Sequence, residues 1–248
     1  MNLFTAINCY LKENKLTLKN LFSFVLSLFA VCTLSAQGNI EFIENKGQWD
    51  SRVRYQGDVS NGTFFIRDGG FTVVQHNPVD LARLNQLKHG LNAEGQLAKA
   101  NEPIRVRSHA WHVDFVGAAT RPLIVAENPI PTYNNYFIGN NPAKWAAECK
   151  IYQGINVQHL YPGIDLRYYT DRGTLKYDIL VQPGADVSKI ALKYEGVDKL
   201  QVKNKELVVS TSLAEFKESA PYTFQPGLAG RQEVSCKYVV NGNIVRFE

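Results

Sequence analysis

The sequence predicts an all-β fold, an antiparallel β-sandwich of one unit or of two abutting halves, with one short helix or loop insertion. Three observations carry this expectation. From residue 40 onward the apolar residues recur with period two rather than 3.6, the pattern of half-buried strands. Turn signals fall at short intervals, at Gly69-Gly70, Asp171-Arg172-Gly173, Asn204-Lys205 and Asn241-Gly242. Almost no helical segment separates the strands, so about fifteen short strands in packed sheets fit better than βαβ units.

The chain opens with Lys12, Lys15 and Lys19, followed by the uncharged run Leu21 to Leu34 and the small pair Ser35 and Ala36. A basic stretch, an apolar run and a small-residue exit describe a cleaved signal peptide over residues 1–36. The run is shorter than the ~20 residues that span a bilayer, so no membrane span is expected in the mature chain, 37–248. Cleavage fits after Ala36, or after Ser35 with Thr33 behind it. Lipid attachment through Cys32 is disfavoured by Val31, where a small residue is wanted. The expected location is secreted or cell-surface.

Composition is ordinary for a globular chain: 248 residues, 45% hydrophobic and 20% charged. Lys plus Arg number 27 against 23 Asp plus Glu, a scattered excess without the concentrated basic footprint that nucleic-acid binding requires.

Within the mature chain, Trp111, Val113 and Phe115 alternate with His112 and Asp114, and Leu175, Tyr177, Ile179 and Val181 alternate with polar residues. Leu200 and Val202 face Leu207 and Val209 across a turn. Asn241-Gly242 predicts a type I′ hairpin between 238–240 and 244–247. Val79 to Lys88 breaks the pattern: Leu81, Leu84 and Leu87 suit one face of a short helix, and a polar loop follows. Residues 78–103 therefore read as an insertion across a sheet edge or end, with a partner-binding helix as the alternative. No internal repeat is visible. The run Ile244 to Glu248 looks like a strand stopped without a turn, so the chain is expected to be part of something longer.

Cys9 and Cys32 leave with the leader. Cys149 and Cys236 then either form one bridge or remain two separate thiols.

The strongest constellation is the hairpin from Ile164 to Val181. Pairing Ile164 with Ile179, Leu166 with Tyr177 and Tyr168 with Leu175 puts the apolar residues on one face. That register opposes Asp165 to Asp178 and Arg167 to Lys176 on the polar face, beside Tyr169. Two carboxylates at ~5 Å could share a proton, hold Ca²⁺ or serve a glycosidase. The competing reading is a solvated charge ladder.

His109 and His112 stand three apart in a strand and point to opposite faces, so no metal site is expected from them. The sequence carries no nucleophile elbow, phosphate loop or zinc-protease helix, and neither a catalytic residue nor a cofactor is expected. Tyr133, Tyr136, Phe137, Trp145, Tyr152, Tyr161, Tyr168 and Tyr169 cluster in sequence, as core residues or as exposed rings for a glycan or protein partner. Trp49 is expected to plug the end of the first strand pair.

Four segments, ENKGQW at 44–49, NYFIGNNPAKW at 135–145, YPGIDLRYY at 161–169 and KYDILVQPGAD at 176–186, carry a resemblance. Together they resemble the N-terminal domain of unknown function found in large secreted bacterial proteins, ahead of β-propeller-type (SBBP) repeats, PKD-like modules and type IX secretion sorting tails. The resemblance implies an extracellular or surface-attached β-rich module without an established reaction, partnered by downstream domains of the same protein, a surface protein or a glycan. The expected function is thus an exported, non-catalytic module for adhesion, surface assembly or presentation of a larger protein. The alternative is a carbohydrate-binding or carbohydrate-cleaving domain using Asp165, Arg167, Tyr169, Lys176 and Asp178.

Overall fold

The computed structural model describes residues 39–88, 105–227 and 230–248. The leader read at 1–36 and residues 89–104 of the insertion lie outside the described residues. The strands run β1 (Phe42–Glu44), β2 (Val53–Val59), β3 (Gly62–Arg67), β4 (Gly70–His76), β5 (Ser108–Phe115), β6 (Leu123–Tyr136), β7 (Ala146–Tyr161), β8 (Ile164–Asp171) and β9 (Thr174–Val181). They continue with β10 (Leu192–Glu195), β11 (Lys199–Lys203), β12 (Glu206–Ser210), β13 (Glu215–Glu218), β14 (Thr223–Gly227), β15 (Gly230–Val234), β16 (Tyr238–Asn241) and β17 (Ile244–Phe247). Helix α1 (Pro78–Lys88) lies between β4 and β5.

Twelve strands pair antiparallel in the order β16-β17-β10-β5-β4-β3-β2-β1-β7-β8-β9, with β6 also on β7. β11 to β13 form a second sheet and β14 with β15 a third. A strand has only two edges, and β6 occupies one edge of β7 from Ala146 to Gln158. β1, at Ile151 and Tyr152, and β8, from Gly154 onward, therefore share the other edge. The sheet divides there, and β7 passes from one layer into the next, as strands do at sandwich corners.

The layers then face each other. The rings of Phe64 on β3 and Tyr168 on β8 lie 5.4 Å apart, although four strand spacings separate them in sheet order, roughly 19 Å in a flat sheet. Phe71, Val73, Trp111, Val113, Leu192 and Tyr194 from one layer meet Ile155, Val157, Leu166 and Tyr168 from the other, and Leu207 and Val209 of β12 join them. Each such buried side chain contributes about 1.5–3 kcal/mol against exposure. Among the described residues the fold is all-β and antiparallel with one α-helix, and its cause is the period-two pattern: Trp111, Val113 and Phe115 are buried while His112 and Asp114 face outward, half-exposed.

Turn chemistry sets two registers differently from the sequence reading. β8 and β9 close at Asp171 opposite Thr174, because Arg172 (φ 51°) and Gly173 (φ 74°) are the two central residues of a turn with both φ positive. The whole hairpin is thereby shifted two residues from the expected pairing, which preserves the faces and changes every partner. At the chain end, Asn241 pairs with Ile244, so Gly242 (φ 62°) leads the turn and Asn243 follows it. Positive φ at the first central position is the type II′ pattern, not the type I′ turn expected of Asn241-Gly242.

Helix α1 begins where Asn77 accepts from the amides of Val79 and Asp80 at 3.0 and 3.1 Å. Asp80 reaches the far side of the insertion, accepting from Arg107 N and Nε at 3.0 and 2.9 Å. Leu81, Leu84 and Leu87 are half-buried. No helix among the described residues is long and apolar enough to cross a membrane.

Cys149 and Cys236 are both free, so the bridge weighed from the sequence is not formed. Cys149 is buried in a small cluster with Ile43, Ala146 and Ile151, whereas Cys236 is half-buried just ahead of β16. Burial pushes the Cys149 thiol up, which makes it an inert apolar filler.

Candidate functional site

The loop between β1 and β2 carries the ENKGQW segment, and its polar residues build it. Asn45 donates to the carbonyls of Asp50 and Val53 at 2.8 Å each and accepts from Gly47 N at 3.0 Å. Gln48 donates to Glu44 O at 2.8 Å. Trp49 is thereby set edge-on to Tyr136, 5.3 Å between centroids, beside the small cluster around Cys149.

This loop overhangs the outer face of the first layer and walls an open groove of about 480 Å³. Trp49, Asp50 and Arg52 form one side; Phe65, Arg67, Thr72, Val74 and His112 form the floor. The floor follows from register. Phe65, Thr72, His112 and Glu195 stand opposite one another across β3, β4, β5 and β10, and Arg67, Gly70, Asp114 and Lys193 form the next row.

An ion-pair chain crosses these rows. Arg67 Nη2 donates to Asp114 Oδ1 at 2.7 Å over Gly70, and Lys193 Nζ lies 2.5 Å from Glu195 Oε1. The remaining carboxylate oxygens turn toward His112 Nε2: Glu195 Oε2 at 2.8 Å and Asp114 Oδ2 at 3.8 Å. Lys193 first, and His112 second, hold the Glu195 carboxyl below the usual glutamate range. Arg67 also donates to the carbonyls of Phe71 and Val113, while its buried Nε has no acceptor among the described residues. The sequence reading missed this cluster because its members come from β5 and β10, far apart in the chain. The alternation around Trp111 and Val113 did put His112 and Asp114 on one outward face, but nothing local marks Glu195 as their neighbour.

Of the residues expected to form a site on the 164–181 hairpin, Arg167, Tyr169, Lys176 and Asp178 are neighbours, whereas Asp165 is drawn away to the β7 bulge. Arg167, not Asp165, stands opposite Asp178, and Lys176 stands opposite Tyr169. The opposed carboxylate pair is thus absent. Asp165 accepts from His159 N at 2.7 Å, where β7 bulges against β8 and His159 takes φ 57°. Arg167 donates to Glu127 Oε2 at 2.8 Å and lies over the Tyr169 ring at 5.1 Å; Tyr169 donates to Asp178 Oδ1 at 3.2 Å; Lys176 pairs with Asp171 at 3.7 Å. Burial first, and Asp178 second, raise the Tyr169 hydroxyl. Each group is taken up by a neighbour, which is the geometry of a charge ladder.

A second polar node lies where β9, β10 and β13 meet. Glu218 accepts from Tyr194 at 2.7 Å and from Tyr177 at 2.9 Å, and burial lifts its carboxyl above the ordinary range against the pull of those two bonds. Tyr168 is fully buried nearby, and its hydroxyl has no partner among the described residues.

The NYFIGNNPAKW segment forms the tip of the β6–β7 hairpin. Asn141 caps a single 3₁₀ turn, Pro142–Lys144, and Trp145 Nε1 donates back to Gly139 O at 3.1 Å. Phe137 and Trp145 meet edge to face at 5.8 Å, yet Phe137 is 60%, Ile138 76% and Trp145 42% exposed. Tyr136, Tyr161 and Tyr168 of the aromatic run instead pack inward.

No curated protein and no solved structure matches the chain. Residues 42–248 match the family described as Domain of unknown function (DUF7948), so this protein belongs to that family.

Proposed function

We propose that this protein is an exported, non-catalytic module that contributes to adhesion, surface assembly or presentation of a larger secreted protein, as the N-terminal domain ahead of repeat and sorting segments. The observation that supports this reading most is the apolar tip at Phe137, Ile138 and Trp145. A group of exposed large apolar side chains at a hairpin tip is a contact surface in need of a partner. The leader at 1–36 supports export. The committed hydrogen bonds of Asp165, Arg167, Tyr169 and Asp178 support an interaction role over carbohydrate cleavage.

The test is attachment of cells or beads displaying the full chain, compared with Phe137→Ala/Trp145→Ala at equal display and equal melting temperature. Attachment or assembly falling at least tenfold supports the reading. Unchanged attachment overturns the role of the tip. Glycan binding that disappears in Tyr169→Ala, with folding intact, transfers the function to the hairpin face.

A further inference from the structure

We infer that His112, Asp114 and Glu195 form a binding site for a divalent transition-metal ion on the outer face of the sheet. One imidazole nitrogen and two carboxylate oxygens lie within 4.8 Å of one another. Tetrahedral zinc with bonds of 2.0–2.2 Å sets its ligand atoms about 3.3 Å apart. The pairs at 2.8 Å and 3.8 Å bracket that spacing.

The surrounding groups orient the donors. Asp114 gives one oxygen to Arg67 and Glu195 gives one to Lys193, and in both the second oxygen is the one aimed at His112. Outer partners that fix a carboxylate while leaving its other oxygen for the ion are what metal ligands require. The donors also sit on paired strands, His112 directly opposite Glu195, so the backbone holds their spacing. The groove beside His112 leaves one side of the site open.

The chemistry selects the ion. Arg67 and Lys193 already offset the two carboxylates, so a hard ion held by charge alone gains little, whereas an imidazole ligand favours Zn²⁺, Co²⁺ or Ni²⁺ over Ca²⁺ or Mg²⁺.

The experiment titrates the full chain with Co²⁺ and with Zn²⁺. Expected are one equivalent of bound metal, the intense visible absorption of low-coordinate Co²⁺, and a melting temperature raised by roughly 5 °C at hundredfold excess of Zn²⁺ over its dissociation constant. Ca²⁺ gives no shift. His112→Ala and Glu195→Gln each weaken binding at least tenfold, while His109→Ala, on the opposite face of the same strand, leaves it unchanged. Absorption matching hexaaqua Co²⁺ with the unmodified chain, or equal affinity in His112→Ala, overturns the site. The unmodified-chain spectrum decides the matter even if a variant fails to fold.

Discussion

Arg67 and Asp114 stand two strands apart, and the guanidinium reaches the carboxylate at 2.7 Å because Gly70 between them carries no side chain. On the other layer Glu127, opposite Gly154, lies over that glycine and reaches diagonally to Arg167, which stands opposite Asn156 in the neighbouring row, at 2.8 Å. Each glycine is a gap in a row of side chains that lets a charged residue reach past it to its partner, straight across at Gly70 and diagonally at Gly154. The gaps differ in one respect: a Cβ on Gly70 runs into the Val113 carbonyl, whereas one on Gly154 first meets Glu127 Oε2, the mobile end of a side chain, at 3.2 Å.

Gly70→Ala is therefore expected to cost about 2 kcal/mol or more, the scale of an overpacked interior, and Gly154→Ala less than about 1 kcal/mol. Urea unfolding of both variants checks this, and equal losses contradict the distinction.

Asp165→Ala strips the acceptor from the His159 amide at the bulge. The site is open to solvent, so the loss is roughly 1 kcal/mol, with Asp165→Asn losing less because its amide oxygen still accepts. A denaturation midpoint that stays put in Asp165→Ala means the bulge holds itself.

Arg172 adopts φ 51° as the first central residue of the β8–β9 turn, a conformation that asparagine tolerates better. Arg172→Asn should raise stability by about 0.5 kcal/mol, and Gly173→Ala should lower it by about 1 kcal/mol. Thermal melts moving in the reverse order would refute the turn assignment.

Glu218 titrates above the ordinary glutamate value of 4.5 because burial opposes its charge. The folded state then binds this proton more tightly than the unfolded chain does. Its contribution is complete below the unfolded value and fades as pH rises through the folded one. Measured as the difference from Glu218→Gln, which cancels the depressed carboxyls of Asp50, Asp80 and Asp186, stability should decline as pH rises from the ordinary glutamate value of 4.5 through the raised folded one. A difference that stays constant over that range contradicts it.

The alternation of Trp111, Val113 and Phe115 made the sandwich legible, as did the leucine spacing for α1. These are local signals, and burial on one face is enough to enforce them. Register was less accessible: only the actual φ values at Arg172 and Gly173 decide between pairings two residues apart that bury the same side chains. The outer-face cluster was out of reach, since His112 and Glu195 meet across strands 83 positions apart. Two further site features carried no local mark. Glu127 finds Arg167 through β7, and Asp165 serves a bulge that no sequence period announces.

Val245 of β17 is fully buried against β10, which itself lies between β17 and β5. β17 is thus an interior strand, between β16 and β10, and β10 keeps an open edge until it pairs. A chain emerging from the ribosome or threading through a pore cannot seal this layer before residue 247 is free. The β10–β17 pairing joins Leu192 to Val245, so this edge closes by a non-local step and not by extension of a neighbouring hairpin.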